Sequence, residues 1–114
     1  MSAQEQQDQQ QRDQQEGTEH PRPAPKVVVL YHAAADVLHR APAHMAGHSA
    51  LIDEFHAAGD LLLIGTFGDP VTEGAMCVFR GREAADRWVR RDPFVTEGLV
   101  ESFEIREWNE ILVP

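Results

Sequence analysis

The sequence has a single cysteine, few basic side chains and no long apolar run. The lone Cys77 excludes a disulfide within the chain and is typical of a reducing compartment, so we expect a cytoplasmic protein. Lys and Arg together number 10 against 19 Asp and Glu, and the resulting net charge of −9 leads us to expect no nucleic-acid partner. No apolar run approaches the roughly 20 residues that cross a bilayer, so we also expect no membrane partner.

Residues 1–25 contain no large apolar side chain after Met1. They are rich in glutamine and end in Pro21, Pro23 and Pro25. Such a segment buries too little surface to offset the entropy lost on ordering, and it resembles neither a signal peptide nor a transit peptide. We therefore predict a disordered Gln/Pro-rich tail over 1–25 and one domain over 26–114.

Within this domain, short apolar runs alternate with segments rich in helix-forming residues. Pro42 suits the first turn of the first helix, and Gly59 suits its end. The order β-α-β-β-α-β is that of a ferredoxin-like antiparallel sheet with both helices on one face, which makes the fold class α+β. The predicted strands are 26–32, 60–67, 75–80 and 99–108; the helices run from Pro42 to about Ala58 and over 81–91; residues 33–41 form a polar connection, 68–74 a turn and 92–98 a helical turn.

The first two strands, "VVVLY" and "LLLI", are apolar at every position rather than at alternate positions. An antiparallel sheet with one wet face should alternate, so both faces of these strands are expected to be buried. The helices cover only one face, and we expect a second copy of the chain to cover the other, giving a homodimer of the α/β-barrel type. The alternative is a monomer whose C-terminal "ILVP" folds over the open face.

The first helix places two histidines on its apolar stripe. At about 100° per residue, His44 and His48 share one face with Leu51 and Phe55. His44 is then either a partly exposed residue of the first turn or a pocket residue, and His48 either a satisfied core histidine or a functional one. The H-x₃-H spacing also occurs in zinc sites, but no glutamate or cysteine cluster accompanies it, so we predict no metal.

Asp92 precedes Pro93 and has the pattern of a helix N-cap. The same carboxylate could also hydrogen-bond an imidazole, fixing its tautomer and favouring its protonated form. The positive end of a helix that starts at Pro42 would act on His48 in the opposite direction. Both interpretations of Asp92, as a helix cap and as a site residue, stay open at this point.

Two segments, "HSALIDEFHAAGDLLLIGTF" and "DPFVTEGLVESFEIREW", resemble the YciI-like (YCII-related) family. Together they cover most of residues 26–110. The resemblance implies a dimeric α/β barrel in which a His/Asp pair forms an acid–base site in a cleft between sheet and helices. It assigns that pair to His48 and Asp92 and does not select His44. One branch of the family resembles dehydrochlorinases of aromatic degradation.

Four further residues are candidates for substrate binding. Gly65 ends the second strand and is either a bulge or a place where a ligand approaches the backbone. Thr66 stands where the family has proline, so the rim of the pocket is expected to differ here. His44 and Arg40 precede His48, and Arg40 is a candidate for holding an acidic substrate on a flexible approach to the helix.

These observations support three hypotheses about function. In the first, Asp92 orients His48, which moves a proton on a small organic acid or aromatic compound in a lyase or isomerase reaction, without metal or organic cofactor. In the second, the same cleft binds a small ligand without turnover. In the third, the chain is a structural dimer module and the pair makes one buried hydrogen bond.

Overall fold

Four strands and four helices make up the computed structural model, which describes residues 24–112. The predicted tail therefore lies almost entirely outside the described residues, as do Val113 and Pro114. Within residues 24–112 no helix is both long and apolar enough to cross a membrane. The elements are β1 (Lys26–Ala33), α1 (Val37–Ala57), β2 (Leu61–Thr66), α2 (Pro70–Glu73), β3 (Ala75–Phe79), α3 (Arg82–Arg91), α4 (Pro93–Thr96) and β4 (Val100–Trp108).

The strands form one antiparallel sheet in the order β2-β3-β1-β4. This places the first strand of the chain at the centre, next to the third and the fourth, as the ferredoxin-like pattern requires. The predicted α+β fold class is confirmed. In the centre of the sheet Val29 of β1 lies opposite Cys77 of β3 on one side and Ile105 of β4 on the other.

Helix α1 begins earlier than predicted. It starts at Val37 and contains Pro42 in its interior, so the prediction of a polar connection over 33–41 was wrong for its second half. Leu38, Arg40 and Ala41 favour helix, and Pro42 removes only one backbone hydrogen bond on an exposed face, which the helix tolerates.

The predicted turn at 68–74 contains a short helix, α2. Asp69 caps it by accepting a hydrogen bond from the Val71 amide, and Pro70 occupies its first turn. The Asp-Pro pair that suggested a turn is equally the start signal of a helix, and a single turn of helix satisfies both.

The core lies between the helices and one face of the sheet. On β1 the side chains alternate, with Val27, Val29 and Tyr31 buried and Val28 and Leu30 only partly buried. A cluster of aromatic and aliphatic side chains fills the space under the helices: Leu51, Phe55, Leu61, Phe79, Trp88 and Val100.

The other face of the sheet is open in the single chain. Leu62 and Leu63 of β2 are 39% and 60% exposed, so nothing in the described single copy covers them. Ile111 and Leu112, the described half of "ILVP", are 90% and 87% exposed and do not pack over this face. The open face is the place where the sequence predicts a second copy.

Candidate functional site

The fold brings His48 and Asp92 into contact although they lie far apart in sequence. His48 projects from α1, and Asp92 stands at the junction where α3 ends and α4 begins. The imidazole Nδ1 lies 2.8 Å from the Asp92 Oδ1. The Asp92 side chain also accepts a hydrogen bond from the Phe94 amide at 3.1 Å, so it is an N-cap and a partner of the histidine at the same time.

The contact is almost shut off from water. Asp92 is fully buried, and the His48 side chain is 12% exposed. An ionised carboxylate can only accept hydrogen bonds, so Nδ1 carries a proton in this contact, and in the neutral imidazole Nε2 then presents its lone pair. Within residues 24–112, Nδ1 is the only ring nitrogen of His48 that makes a hydrogen bond.

Two side chains that the sequence analysis left out of the site complete a hydrogen-bonded chain. The Tyr31 hydroxyl donates to the Asp92 Oδ2 at 2.5 Å, and the Trp88 Nε1–H donates to the Tyr31 oxygen at 2.6 Å. Burial and the neighbouring Asp92 raise the pKa of Tyr31, so its hydroxyl stays protonated and remains a donor. The alternation of Tyr31 with Val27 and Val29 on β1 was the signal available, because a buried tyrosine hydroxyl needs a partner.

Aromatic rings hold the imidazole on two sides. The Phe94 ring stacks on His48 with centroids 4.0 Å apart and planes 4° from parallel. Trp88 meets the imidazole edge-on, with centroids 6.1 Å apart. The ring of His48 is therefore fixed by packing as well as by its bond to Asp92.

An apolar cavity of about 180 Å³ lies between α1 and the ends of β1 and β3. Tyr31 and Phe94 belong both to its wall and to the His48–Asp92 site, whereas His48 and Asp92 do not line it. The remaining wall is aliphatic and small, including Val37, Leu38, Ala41, Met45, Leu99 and Val100.

Thr66 lines this cavity, and Gly65 does not. Gly65 lies in a shallower depression on β2 that it shares with Thr66. It pairs in register with Met76, and the irregularity of this strand pair falls between Leu61 and Leu63. The bulge interpretation of Gly65 was therefore wrong, while its role in ligand approach stays a prediction.

The early start of α1 changes the interpretation of the residues before His48. Arg40 lies inside a regular helix rather than on a flexible approach, and its guanidinium donates to the Glu97 carbonyl at 2.6 Å. His44 is partly exposed but is no longer in the first turn. The positive end of the helix is also too distant to act on His48, because that effect fades within one turn.

The remaining reactive groups are the Cys77 thiol and the side chains that could bind a metal ion. Burial raises the pKa of the Cys77 thiol to about 12, with Asp92 adding to the effect, so the thiol is protonated at neutral pH and is not a nucleophile. In the part of the chain that the structure describes, no three His, Cys, Asp or Glu side chains are grouped so that they could hold a metal ion.

In a comparison with known protein families, the model of the YCII-related domain matches residues 26–109, which include the whole span from β1 to the end of β4. No curated protein matches the chain by sequence.

Proposed function

The chain belongs to the YCII-related domain family, and on that premise we propose that it is a small-molecule enzyme that uses His48 and Asp92 as an acid–base pair. The observation that carries the proposal is the 2.8 Å contact between Nδ1 and Oδ1. It gives the imidazole one tautomer and leaves Nε2 to take or return a proton, which is the arrangement of a positioned general base.

The proposed reaction is of the lyase or isomerase type. Nε2 removes a proton from a carbon atom next to a carboxyl, carbonyl or aromatic group, so the C–H bond breaks and an N–H bond forms. The electron pair left on the substrate either expels a leaving group, which gives a lyase, or accepts the same proton at another carbon, which gives an isomerase. These steps use protein side chains only.

The substrate class follows from the surroundings of the site. Tyr31 and Phe94 present aromatic surface to the adjoining cavity, and its volume of about 180 Å³ suits a compound of single-ring size. A small organic acid or aromatic compound would place its apolar part there, with Thr66 at the rim supplying a hydroxyl. Gly65, His44 and Arg40 remain candidates for contacts outside this cavity.

A second candidate is a binding module without turnover. It is favoured by the fact that His48 and Asp92 do not line the cavity, so a ligand could occupy the space without meeting the imidazole. In that case the pair would only hold the cavity wall through Tyr31 and Phe94.

We also propose that the chain forms a homodimer through the open face of the sheet. Val28, Leu30 and Met76 line an apolar depression there, together with Arg106 and Trp108 of β4. Glu104 lies opposite Leu30 and Arg106 opposite Val28, so the patch carries both charge signs along one strand. In a two-fold contact each sign can meet its opposite on the other copy.

Proton transfer can be tested without knowing the natural substrate. Small carboxylic acids and hydroxylated aromatic acids are incubated with the protein in D₂O, and exchange of carbon-bound hydrogen is followed by NMR. We expect exchange in at least one compound and its reduction by about 10²-fold or more in His48→Gln, the usual contribution of a general base.

His56→Gln is the matched control, because it makes the same change at an exposed position two turns further along the same helix. Exchange that persists in His48→Gln, or falls equally in His56→Gln, would contradict the catalytic role. Ligand-induced shifts that occur without any exchange, and that survive His48→Gln, would instead support the binding module.

A further inference from the structure

The two oxygens of the Asp92 carboxylate have separate partners. Oδ1 meets the His48 Nδ1 and the Phe94 amide, and Oδ2 meets the Tyr31 hydroxyl. Trp88 in turn donates to the Tyr31 oxygen. The carboxylate, Tyr31 and Trp88 are all within the buried core, with Asp92 and Trp88 fully inaccessible.

Capping a helix does not require the second oxygen. Asp69 provides the comparison within the same chain, because it also precedes a proline and caps the first turn of α2. Its Oδ1 accepts from the Val71 amide, and its side chain is exposed. The Tyr31 contact is therefore an addition that is specific to Asp92.

We propose that Tyr31, supported by Trp88, is a positioning residue that locks the Asp92 carboxylate and thereby holds His48 in its Nδ1–H tautomer. The tautomer follows from the hydrogen bonds alone. Its benefit for catalysis rests on the proposed function, since only an unprotonated Nε2 can act as the base.

Among residues 24–112 the Tyr31 hydroxyl is the only hydrogen-bond partner of Oδ2, and the lock depends on this. If the Tyr31 hydroxyl is removed, a buried oxygen of the Asp92 carboxylate loses its donor. The carboxylate then lowers its free energy by turning toward water or another N–H. Turning moves Oδ1 away from Nδ1. The imidazole then has no acceptor that favours Nδ1–H, and it populates the Nε2–H form as well.

Histidine ¹⁵N NMR reads this directly, because protonated and unprotonated ring nitrogens have well-separated shifts. The test compares the wild type with Tyr31→Phe, which removes only the hydroxyl. The chain has six histidines, and His48→Gln identifies the signal of interest. We expect pure Nδ1–H in the wild type and a mixture of tautomers in Tyr31→Phe, with the other histidines unchanged.

A second measurement keeps the test valid if Tyr31→Phe does not fold. Tyr31 is the only tyrosine of the chain, so 3-fluorotyrosine supplied during expression alters this one hydroxyl. The fluorinated phenol is a stronger donor to Oδ2, which weakens Oδ1 as an acceptor. We expect the Nδ1 proton of His48 to shift upfield while the remaining histidine signals stay in place.

An unchanged His48 spectrum in the folded Tyr31→Phe protein would overturn the inference, even if the variant were less stable. If the tautomer cannot be read in Tyr31→Phe, the fluorotyrosine protein decides. An Nδ1 proton whose shift does not change there overturns the inference likewise. A tautomer mixture in Tyr31→Phe without any wild-type proton exchange would uphold the positioning role and remove the proposed function. If both hold, exchange in Tyr31→Phe should fall about tenfold, the effect of one charge-assisted hydrogen bond.

Discussion

Asp92 serves as a helix cap and as a hydrogen-bond partner of His48 with one carboxyl group. The Phe94 amide, the His48 imidazole and the Tyr31 hydroxyl all converge on it, and none of the carboxylate is accessible to solvent. A carboxylate in such a place must satisfy each donor, because a buried group left without a partner costs far more than an exposed one.

Replacing Asp92 with asparagine should therefore destabilise the protein. The amide has one oxygen and one NH₂ group, so it cannot accept from three donors, and either Tyr31 or His48 loses its acceptor. We expect the free energy of unfolding to fall by about 2–4 kcal/mol, as measured by urea denaturation.

Asp69→Asn is the matched control. Asparagine caps helices as well as aspartate does, and Asp69 is exposed, so this change should cost less than about 0.5 kcal/mol. Equal losses in the two variants would mean that the Asp92 network contributes nothing beyond the cap.

The residues of the site were only partly predictable from sequence. His48 and Asp92 were candidates from local patterns, a histidine on an apolar helix stripe and an aspartate before proline, but only the family resemblance selected them as a pair. Tyr31 and Trp88 could not be joined to them, because their bonds depend on how β1 lies under α3, and no local pattern encodes that approach. The prediction of a flexible approach at Arg40 was wrong for the same reason, since its partner is the Glu97 carbonyl at the end of α4.

At the scale of elements, one turn controls how closely α2 approaches the central strand. Gly74 joins α2 to β3 with a φ of +78°, and a Cβ built there would lie 2.0 Å from the Tyr31 carbonyl oxygen. Only glycine permits both the left-handed backbone and this contact. Because Tyr31 carries the hydroxyl that holds Asp92, this turn also determines the geometry of the site.

Gly74→Ala should consequently be one of the most damaging small substitutions in the chain. Gly74 combines its positive φ with a ψ of −153°, a region that only glycine adopts readily, so the backbone strain alone costs alanine about 1–3 kcal/mol. The clash with β1 should raise the total loss beyond about 3 kcal/mol. Thermal denaturation monitored by circular dichroism measures the effect.

Gly59→Ala separates the two causes. Gly59 has nearly the same φ, +79°, but a Cβ there meets nothing within 4 Å. Gly59→Ala should therefore lose only the backbone strain of the positive φ, about 1–2 kcal/mol. Similar losses at both positions would show that the contact with Tyr31 is unimportant.

Element boundaries were predictable where the start and stop signals agreed, and wrong where they conflicted. Helix α1 ends just before Gly59, as predicted. The positive φ of Gly59 stops the helix directly after its apolar stripe. The prediction that the helix starts at Pro42 was wrong, because Leu38, Arg40 and Ala41 are good helix formers and continue α1 back to Val37. A proline on an exposed face costs one hydrogen bond, and favourable neighbours outweigh it.

At the scale of the whole molecule, the strand order and the α+β class followed from the element order alone. The element order β-α-β-β-α-β, with right-handed crossover connections, leaves few ways to pair four strands. The observed order β2-β3-β1-β4 is the expected one. What covers the far side of the sheet is a different matter, since a chain cannot show by its own pattern whether an apolar face meets its own terminus or another molecule.

The open face itself argues for a second copy. Leu63 of β2 is 60% exposed, and it lies opposite Val78 on the side away from the helices. Val28, Leu30 and Met76 continue the apolar surface across β1 and β3. A contiguous apolar patch of this kind is unfavourable in water, and proteins that expose such a patch usually use it as an interface.

An arginine at Leu63 should therefore separate the copies. We expect the wild-type protein to sediment as a dimer in analytical ultracentrifugation and Leu63→Arg to sediment as a monomer, because the charge would have to be buried without a partner. Leu38→Arg is the matched control: Leu38 on α1 is 65% exposed, about as much as Leu63, but lies on the helix side of the sheet. It should leave the dimer intact. A monomeric wild type, or a dimer that survives Leu63→Arg but not Leu38→Arg, would place the contact elsewhere and contradict the assignment of the sheet face.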